Sequence, residues 1–149
     1  MTTIILLTQG ELGGDVGVRK KEFELAMQYW GFDYVTFRYP DMKLAYFPLN
    51  KMVDSVTKVV VNKNITALVS FHPNEITSGF DHPDHNRAGE ITRLVSVGMK
   101  DGRKLIYWMS NNKPYLTKER NKYAKQFYSS QNIPIEVLKT IGESYLKIR

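Results

Sequence analysis

All three histidines of the chain lie in one short segment, residues 72–85. His82 and His85 flank Pro83 and Asp84, directly before a stretch with helical periodicity. An imidazole can bind a metal or act as an acid, and a neighbouring carboxylate can fix which ring nitrogen faces outward. Since an aspartate at a helix start is also a common N-cap, the residues alone leave a structural interpretation open.

The elements that must position this segment alternate between short apolar runs and helical patterns. Buried strands are predicted at residues 4–7, 34–37, 67–71 and 105–109. Helical stripes are predicted over residues 23–30, 52–60 and 88–98, with Gly31 placed to end the first. This order predicts one α/β domain over residues 1–149, a Rossmann-like parallel sheet flanked by helices.

The C-terminal quarter has a different composition. A helix is predicted around Tyr123 and Phe127, and Pro134 is predicted to start another with apolar residues on one face, namely Val137, Leu138, Ile141, Tyr145 and Ile148. Residues 113–149 hold eight basic and three acidic residues, against a net charge of +6 for the whole chain. Solvated helix faces explain this surplus, and an anionic partner is the alternative. No nucleic-acid-binding signature accompanies it.

Composition excludes several classes of site and location. The chain has no cysteine, which rules out disulfides and thiolate ligands, so a metal would need His, Asp, Glu or water. No run of 18 apolar residues is present, so no transmembrane span is predicted. The first seven residues indicate a strand and not a signal peptide, which favours a cytoplasmic protein.

Polar clusters follow the first three predicted strands, at residues 8–11, 38–41 and 72–85. In a parallel sheet such loops share one edge, where ligands bind. The sequence therefore predicts that these clusters contribute to a single site.

The segment from His82 to His85 resembles the second signature, H-P-D-H, of the PIG-L/LmbE-like zinc-dependent N-deacetylases. The loop of residues 8–13 resembles the family's T-x-G-E-x-G. Further similarities run in the family's order through the chain, at Arg19, Glu22, Ala26, Trp30, Gly31, Pro40, Asp41, Ala124, Tyr128, Ser130, Gln131, Glu143 and Tyr145. In size and spacing the chain is most similar to the bacillithiol-pathway deacetylases.

The resemblance implies a hydrolase that removes the N-acetyl group from an N-acetylglucosamine-type sugar conjugate with zinc-activated water. It implies His85 as a zinc ligand, His82 as the group that polarises the amide carbonyl, and Asp84 as the residue that orients a histidine. The substrate-binding residues that it implies are Arg19, Asp41 and Glu11.

One part of the family pattern is missing. The first motif, H-P-D-D-E, supplies two zinc ligands and the general base, and it belongs upstream of residues 4–7 with its own strand and helix. Compensation by His72 or Glu75 would give a poorer site, because zinc needs three or four ligands. The chain is therefore expected to be a deacetylase lacking its N-terminal segment.

Two other functions stay open, namely a metal-free relative that binds a sugar or a partner chain, and a nucleic-acid module driven by the basic tail. We expect a small sugar conjugate as partner and no nucleic acid, and a homo-oligomer stays open. In the family the missing strand lies between the first and third strands of this chain. We predict that these two strands pair directly, in the order 33–38, 3–8, 66–72, 104–110.

Overall fold

The structure is a computed structural model that describes residues 1–73, 83–98, 105–115, 122–123, 126–127, 130 and 143–148. Its helices and strands are β1 (Thr3–Thr8), α1 (Val16–Trp30), β2 (Asp33–Tyr39), α2 (Leu49–Asn62), β3 (Ala67–Phe71), α3 (Pro83–Gly98), β4 (Leu105–Tyr115) and β5 (Glu143–Ile148). The chain divides into two compact units, Met1–Asp41 with Pro114–Gly142 and Met42–Lys113 with Glu143–Arg149.

The first unit is built on a parallel pair of strands, β1 and β2, joined by α1. The helix begins at Asp15, whose carboxylate accepts the Val18 amide at 2.9 Å. It ends at Gly31, which adopts a left-handed conformation with φ of 63°. Glycine takes this conformation without the penalty that a side chain would impose, so the predicted helix end is confirmed.

The core of the first unit lies along one side of α1. Phe23, Ala26 and Met27 are buried together with Phe127. Partly buried apolar residues pack around them: Ile4, Leu6, Trp30, Phe32 and Tyr123. The periodic apolar positions predicted for this helix therefore do face the core.

The second unit contains a three-stranded sheet in the order β3-β4-β5, with β3 and β4 parallel. Helix α3 packs against both β3 and α2. Where the structure describes burial in this unit, the largest fully buried side chains are Leu44, Met52, Val60, Ile91 and Val95. The two units together confirm a mixed α/β fold with parallel strands flanked by helices, as the sequence predicts.

Gly89 lets α3 approach the end of β3 closely. A Cβ at this position would overlap the Phe71 carbonyl oxygen and would lie 2.7 Å from the Pro73 nitrogen. Because both neighbours are backbone atoms, neither can rotate away. We expect Gly89→Ala to lower the free energy of unfolding by about 1–3 kcal/mol, the usual cost of overpacking, as measured by denaturant titration.

Gly98 provides the control within the same helix. A Cβ there would meet nothing within 4 Å. Gly98→Ala should leave stability unchanged, or raise it by up to roughly 1 kcal/mol through helix propensity. Equal effects of the two substitutions would contradict a specific role for the close approach at Gly89.

The prediction of a final helix that starts at Pro134 is wrong for residues 143–148, which form strand β5 beside β4, while residues 134–142 lie outside the described residues. The apolar spacing from Val137 to Ile148 fits a helical face. However, a short apolar set with aromatic and β-branched residues also suits a strand. Pairing with β4, a strand remote in sequence, decides the outcome, and local periodicity does not contain that information.

The predicted direct pairing of residues 3–8 with residues 66–72 is also wrong. Among the described residues β1 is bonded to β2, and β3 belongs to the other sheet, as an edge strand. An edge strand can satisfy its unpaired backbone groups with water, so direct pairing of β1 with β3 is not required. Val69 of β3 is 57% exposed, which is consistent with access of water to this strand.

In the part of the chain that the structure describes, no helix combines the length and the apolar character needed to cross a bilayer.

Candidate functional site

His85 lies in the first turn of α3, next to the carboxyl end of β3. Its ring stacks on that of Phe71, the last residue of the strand, with centroids 3.8 Å apart and planes 5° apart. The residue is nevertheless exposed. Stacking restricts the ring orientation of an otherwise exposed residue, which suits a histidine that binds a metal or a substrate.

Asp84 is buried, with 5% of its surface exposed. Its Oδ2 accepts the Met42 amide at 2.6 Å and its Oδ1 accepts the Leu44 amide at 3.0 Å. Met42 has a positive φ of 62°, which is unusual for a residue with a side chain. The carboxylate therefore holds an unusual turn in place through two charge-assisted hydrogen bonds.

Part of the histidine segment falls in the range that the structure does not describe. His82 and Glu75 lie outside the described residues. His72 is described, is partly buried and directly follows β3. The roles predicted for His82, and for Glu75 as a substitute ligand, therefore stay predictions.

Glu11 and Asp41 meet in the first unit. Glu11 Oε1 accepts the Asp41 amide at 2.6 Å. The second carboxylate oxygen, Oε2, is buried and has no hydrogen-bond partner among the described residues. A buried oxygen without a donor is unfavourable, so this carboxylate has the capacity to accept one more hydrogen bond.

Arg19 lies over the loop that precedes α1. Its Nη1 donates to the Gly10 carbonyl at 2.7 Å. A Cβ on Gly13 would overlap the same guanidinium nitrogen, so a larger residue there would require the Arg19 side chain to move. Among the described residues, Arg19 forms no ion pair with Glu22 or Glu24. A surface salt bridge therefore does not explain the position of the Arg19 side chain.

The described residues do not provide a complete zinc site. No group of three His, Asp or Glu side chains among them could hold a metal ion. His85 is the residue whose placement suits a ligand, and one ligand does not hold zinc at useful affinity. The described residues therefore do not fit the metal by themselves.

We expect the isolated 149-residue chain to retain well under one zinc ion per molecule. The reason is the number of ligands, since His, Asp and Glu sites need three or four to compete with water. Elemental analysis after exhaustive dialysis measures this. One tightly held zinc per chain would contradict the expectation and would make His72 or Glu75 a ligand.

Two contacts join segments that are remote in sequence, one between Glu22 and Ser130 and one between Arg87 and Phe47. Buried Glu22 accepts both the amide and the hydroxyl of Ser130, at 2.9 and 2.7 Å, across 108 residues of chain. Arg87 bonds Glu90 at 2.7 Å and the Phe47 carbonyl at 3.1 Å. The three-residue spacing of Arg87 and Glu90 is a signal for their ion pair. Nothing comparable identifies the partner of Glu22 or the Phe47 carbonyl.

The family model for PIG-L, described as GlcNAc-PI de-N-acetylase, matches residues 1–96. The chain belongs to the PIG-L family. The match covers the loop with Glu11, the helix with Arg19 and the segment ending in His85. Among curated proteins, none matches the chain.

Solved structures share the fold of this PIG-L chain. N,N'-diacetylchitobiose deacetylase from Pyrococcus horikoshii, in complex with its inhibitor, is similar with a TM-score of 0.75 and 16% identity, over 98% of this chain and 72% of that chain. A conserved protein from Thermus thermophilus is similar with a TM-score of 0.69 and 19% identity, over 93% of this chain and 70% of that chain. At these identities the likeness shows the fold.

Proposed function

We propose that this chain is part of an N-deacetylase that hydrolyses the N-acetyl group of an N-acetylglucosamine-type conjugate. Membership of the PIG-L family supports the reaction class. The observation that carries the proposal is the placement of His85, with its ring held flat on Phe71 at the carboxyl end of a parallel strand. That edge is where α/β proteins bind ligands.

Zinc is the metal expected for this family, and it would supply Lewis-acid polarisation of the amide and a water of lowered pKa. His85 would be one ligand. The described residues do not complete the ligand set. We propose that an H-P-D-D-E segment, which residues 1–149 lack, provides the remaining ligands and the general base.

The other proposed roles belong to this chain's own residues. His82 polarises the acetamide carbonyl, and Asp84 orients the histidine segment while it holds the turn at Met42. Arg19, Asp41 and Glu11 bind the sugar conjugate, and the unpartnered Oε2 of Glu11 is suited to accept a sugar hydroxyl. We propose residues 1–149 as one incomplete catalytic domain of a cytoplasmic enzyme.

Acetate release tests the proposal. We define the joined form as this chain preceded by a strand–helix segment that carries H-P-D-D-E. N,N'-diacetylchitobiose and simple N-acetylglucosamine conjugates are incubated with the chain alone and with the joined form. The joined form should release acetate, and the chain alone should release little. No release by a folded, zinc-loaded joined form would contradict the proposal. The nucleotide sequence upstream of Met1 shows directly whether such a segment is encoded.

A metal-free sugar-binding or partner-binding protein is the second candidate. It is favoured by the buried, unpartnered Oε2 of Glu11, because this oxygen can accept a ligand hydroxyl without any metal. Binding of N-acetylglucosamine conjugates that survives treatment with a chelator would favour this candidate, whereas binding that is lost with zinc would favour the deacetylase.

In the joined form, Arg19→Ala and Asp41→Ala should raise the Michaelis constant by about tenfold and leave the zinc content unchanged. The reason is that Arg19, in the first turn of α1, and Asp41, just after β2, are proposed to bind substrate groups and not the metal. Steady-state kinetics and metal analysis of the same preparations measure this. Unchanged Michaelis constants would show that Arg19 has only a structural role, through its hydrogen bond to the Gly10 carbonyl.

A further inference from the structure

A cavity of about 530 Å³ lies beside α3 in the second unit. Its volume falls within the range of roughly 300–1,000 Å³ that is typical of small-molecule sites. Pro73 and Pro83 provide apolar walls, and the polar lining residues from α3 are Asn86, Arg87, Glu90 and Arg93. The cavity therefore has a mixed lining that is more polar than apolar.

The cavity uses a different side of α3 from the candidate catalytic residue. Asn86, Glu90 and Arg93 recur at intervals of three and four, which places them on one face of the helix. His85 instead stacks on Phe71. Ile91 is buried on a third side. The residues of α3 that recur along the pocket therefore lie on a different face of the helix from His85, which is not among the described lining residues.

The charged groups among the described lining residues are two guanidinium groups and one carboxylate. Arg87 is partly neutralised, because its Nη1 pairs with Glu90 at 2.7 Å while its Nη2 donates to the Phe47 carbonyl at 3.1 Å. Its Nε is buried and lacks an acceptor among the described residues. Arg93 is exposed, and no ion pair with another described residue neutralises it.

We infer that this cavity is a binding site for the phosphate group of a small molecule. Planar guanidinium groups match the geometry of phosphate oxygens and form strong charge-assisted hydrogen bonds with them. Arg93 provides a cation that no described carboxylate neutralises, and Arg87 is a second lining guanidinium whose positive charge Glu90 only partly offsets. Asn86 and Glu90 can bind hydroxyl groups elsewhere on the phosphorylated molecule, and the prolines can contact its carbon skeleton. The inference does not depend on the proposed deacetylase activity.

Calorimetric titration of the full chain with inorganic phosphate, at constant ionic strength, tests the site. We expect saturable binding of one phosphate per chain. Arg93→Ala should weaken it by about tenfold, the effect of losing one charge-assisted hydrogen bond. Glu90→Gln should tighten it several-fold, because the competing carboxylate beside Arg87 is removed. A purely structural Glu90 would not produce tighter binding.

Lys58→Ala is the matched control, since it removes one exposed positive charge from α2, outside the residues that line the cavity. It should leave phosphate binding unchanged. The inference is overturned if phosphate does not bind saturably, if Arg93→Ala binds like the unmodified chain, or if Lys58→Ala weakens binding equally. The last result would show only general attraction to a basic protein. If Glu90→Gln does not tighten phosphate binding, Arg87 does not contribute to the site, and the inference of a pocket with two phosphate-binding arginines is wrong.

Discussion

Replacing His85 by alanine in the joined form, which carries the H-P-D-D-E segment, is expected to remove bound zinc and to lower acetate release by about a thousandfold or more. Losses of this size follow the removal of a central catalytic group. The structural basis is the stacking of the His85 ring on Phe71, which presents the imidazole at the end of β3. Zinc content and turnover, measured on the same preparation, should therefore fall together.

The neighbouring histidines give the comparison that makes this result specific. His82→Ala should keep zinc and lose turnover, because His82 is proposed to act on the developing oxyanion. His72→Ala should keep both zinc and turnover, since His72 is partly buried directly after β3 and the zinc ligands are proposed to be His85 and the H-P-D-D-E segment. Loss of zinc from the His82 and His85 variants alike would show that the two roles are wrongly assigned.

Elements with a strong local signal are predictable from the sequence. Gly31 ends α1 because the backbone there adopts a left-handed conformation, and the glycine itself is the signal in the sequence. The valine-rich stretch around Val56 forms helix α2 even though valine also favours strands. Its apolar residues recur with helical spacing, and burial of Met52, Val56 and Val60 on one side outweighs the weaker intrinsic preference.

Strand partners are less predictable, because pairing depends on chain segments remote in sequence. Residues 143–148 become β5 through their place beside β4, which their own spacing does not reveal. The expected pairing of β1 with β3 rests on the unfavourable free energy of open edges. That free energy is small where water reaches the backbone, so it does not determine the sheet order.

The candidate site shows the same division. The sequence identifies Asp84 and Glu11 as polar residues at the ligand-binding edge. It does not show that Asp84 accepts the amides of Met42 and Leu44, about 40 residues earlier, or that Glu11 accepts the Asp41 amide. Backbone donors carry no residue-specific signal, and so their acceptors become evident only when the fold brings the two segments together.

Asp84→Ala should lower the free energy of unfolding by about 2–4 kcal/mol, through the loss of two charge-assisted hydrogen bonds in a buried setting. The Met42 and Leu44 amides would be left without their acceptor. Leu44 is itself 1% exposed, so water does not readily replace the carboxylate there. Asp84→Asn keeps one acceptor oxygen but places an amide donor against the second N–H, so its loss should be intermediate. Denaturant titration of the unmodified chain and both variants measures these differences.

The size of the stability loss in Asp84→Ala distinguishes hydrogen bonding to the Met42 and Leu44 amides from the simpler alternative of helix capping by Asp84. A capping aspartate contributes typically about 1 kcal/mol, so a loss of that size or less in Asp84→Ala would favour capping. Asp54→Ala is the control, because Asp54 is exposed on α2, and its removal should change stability by less than about 0.5 kcal/mol. If Asp84 also orients the histidine segment, Asp84→Asn in the joined form should lower turnover more than its stability loss explains. That difference would arise because the turn at Met42 and the first turn of α3 share one carboxylate.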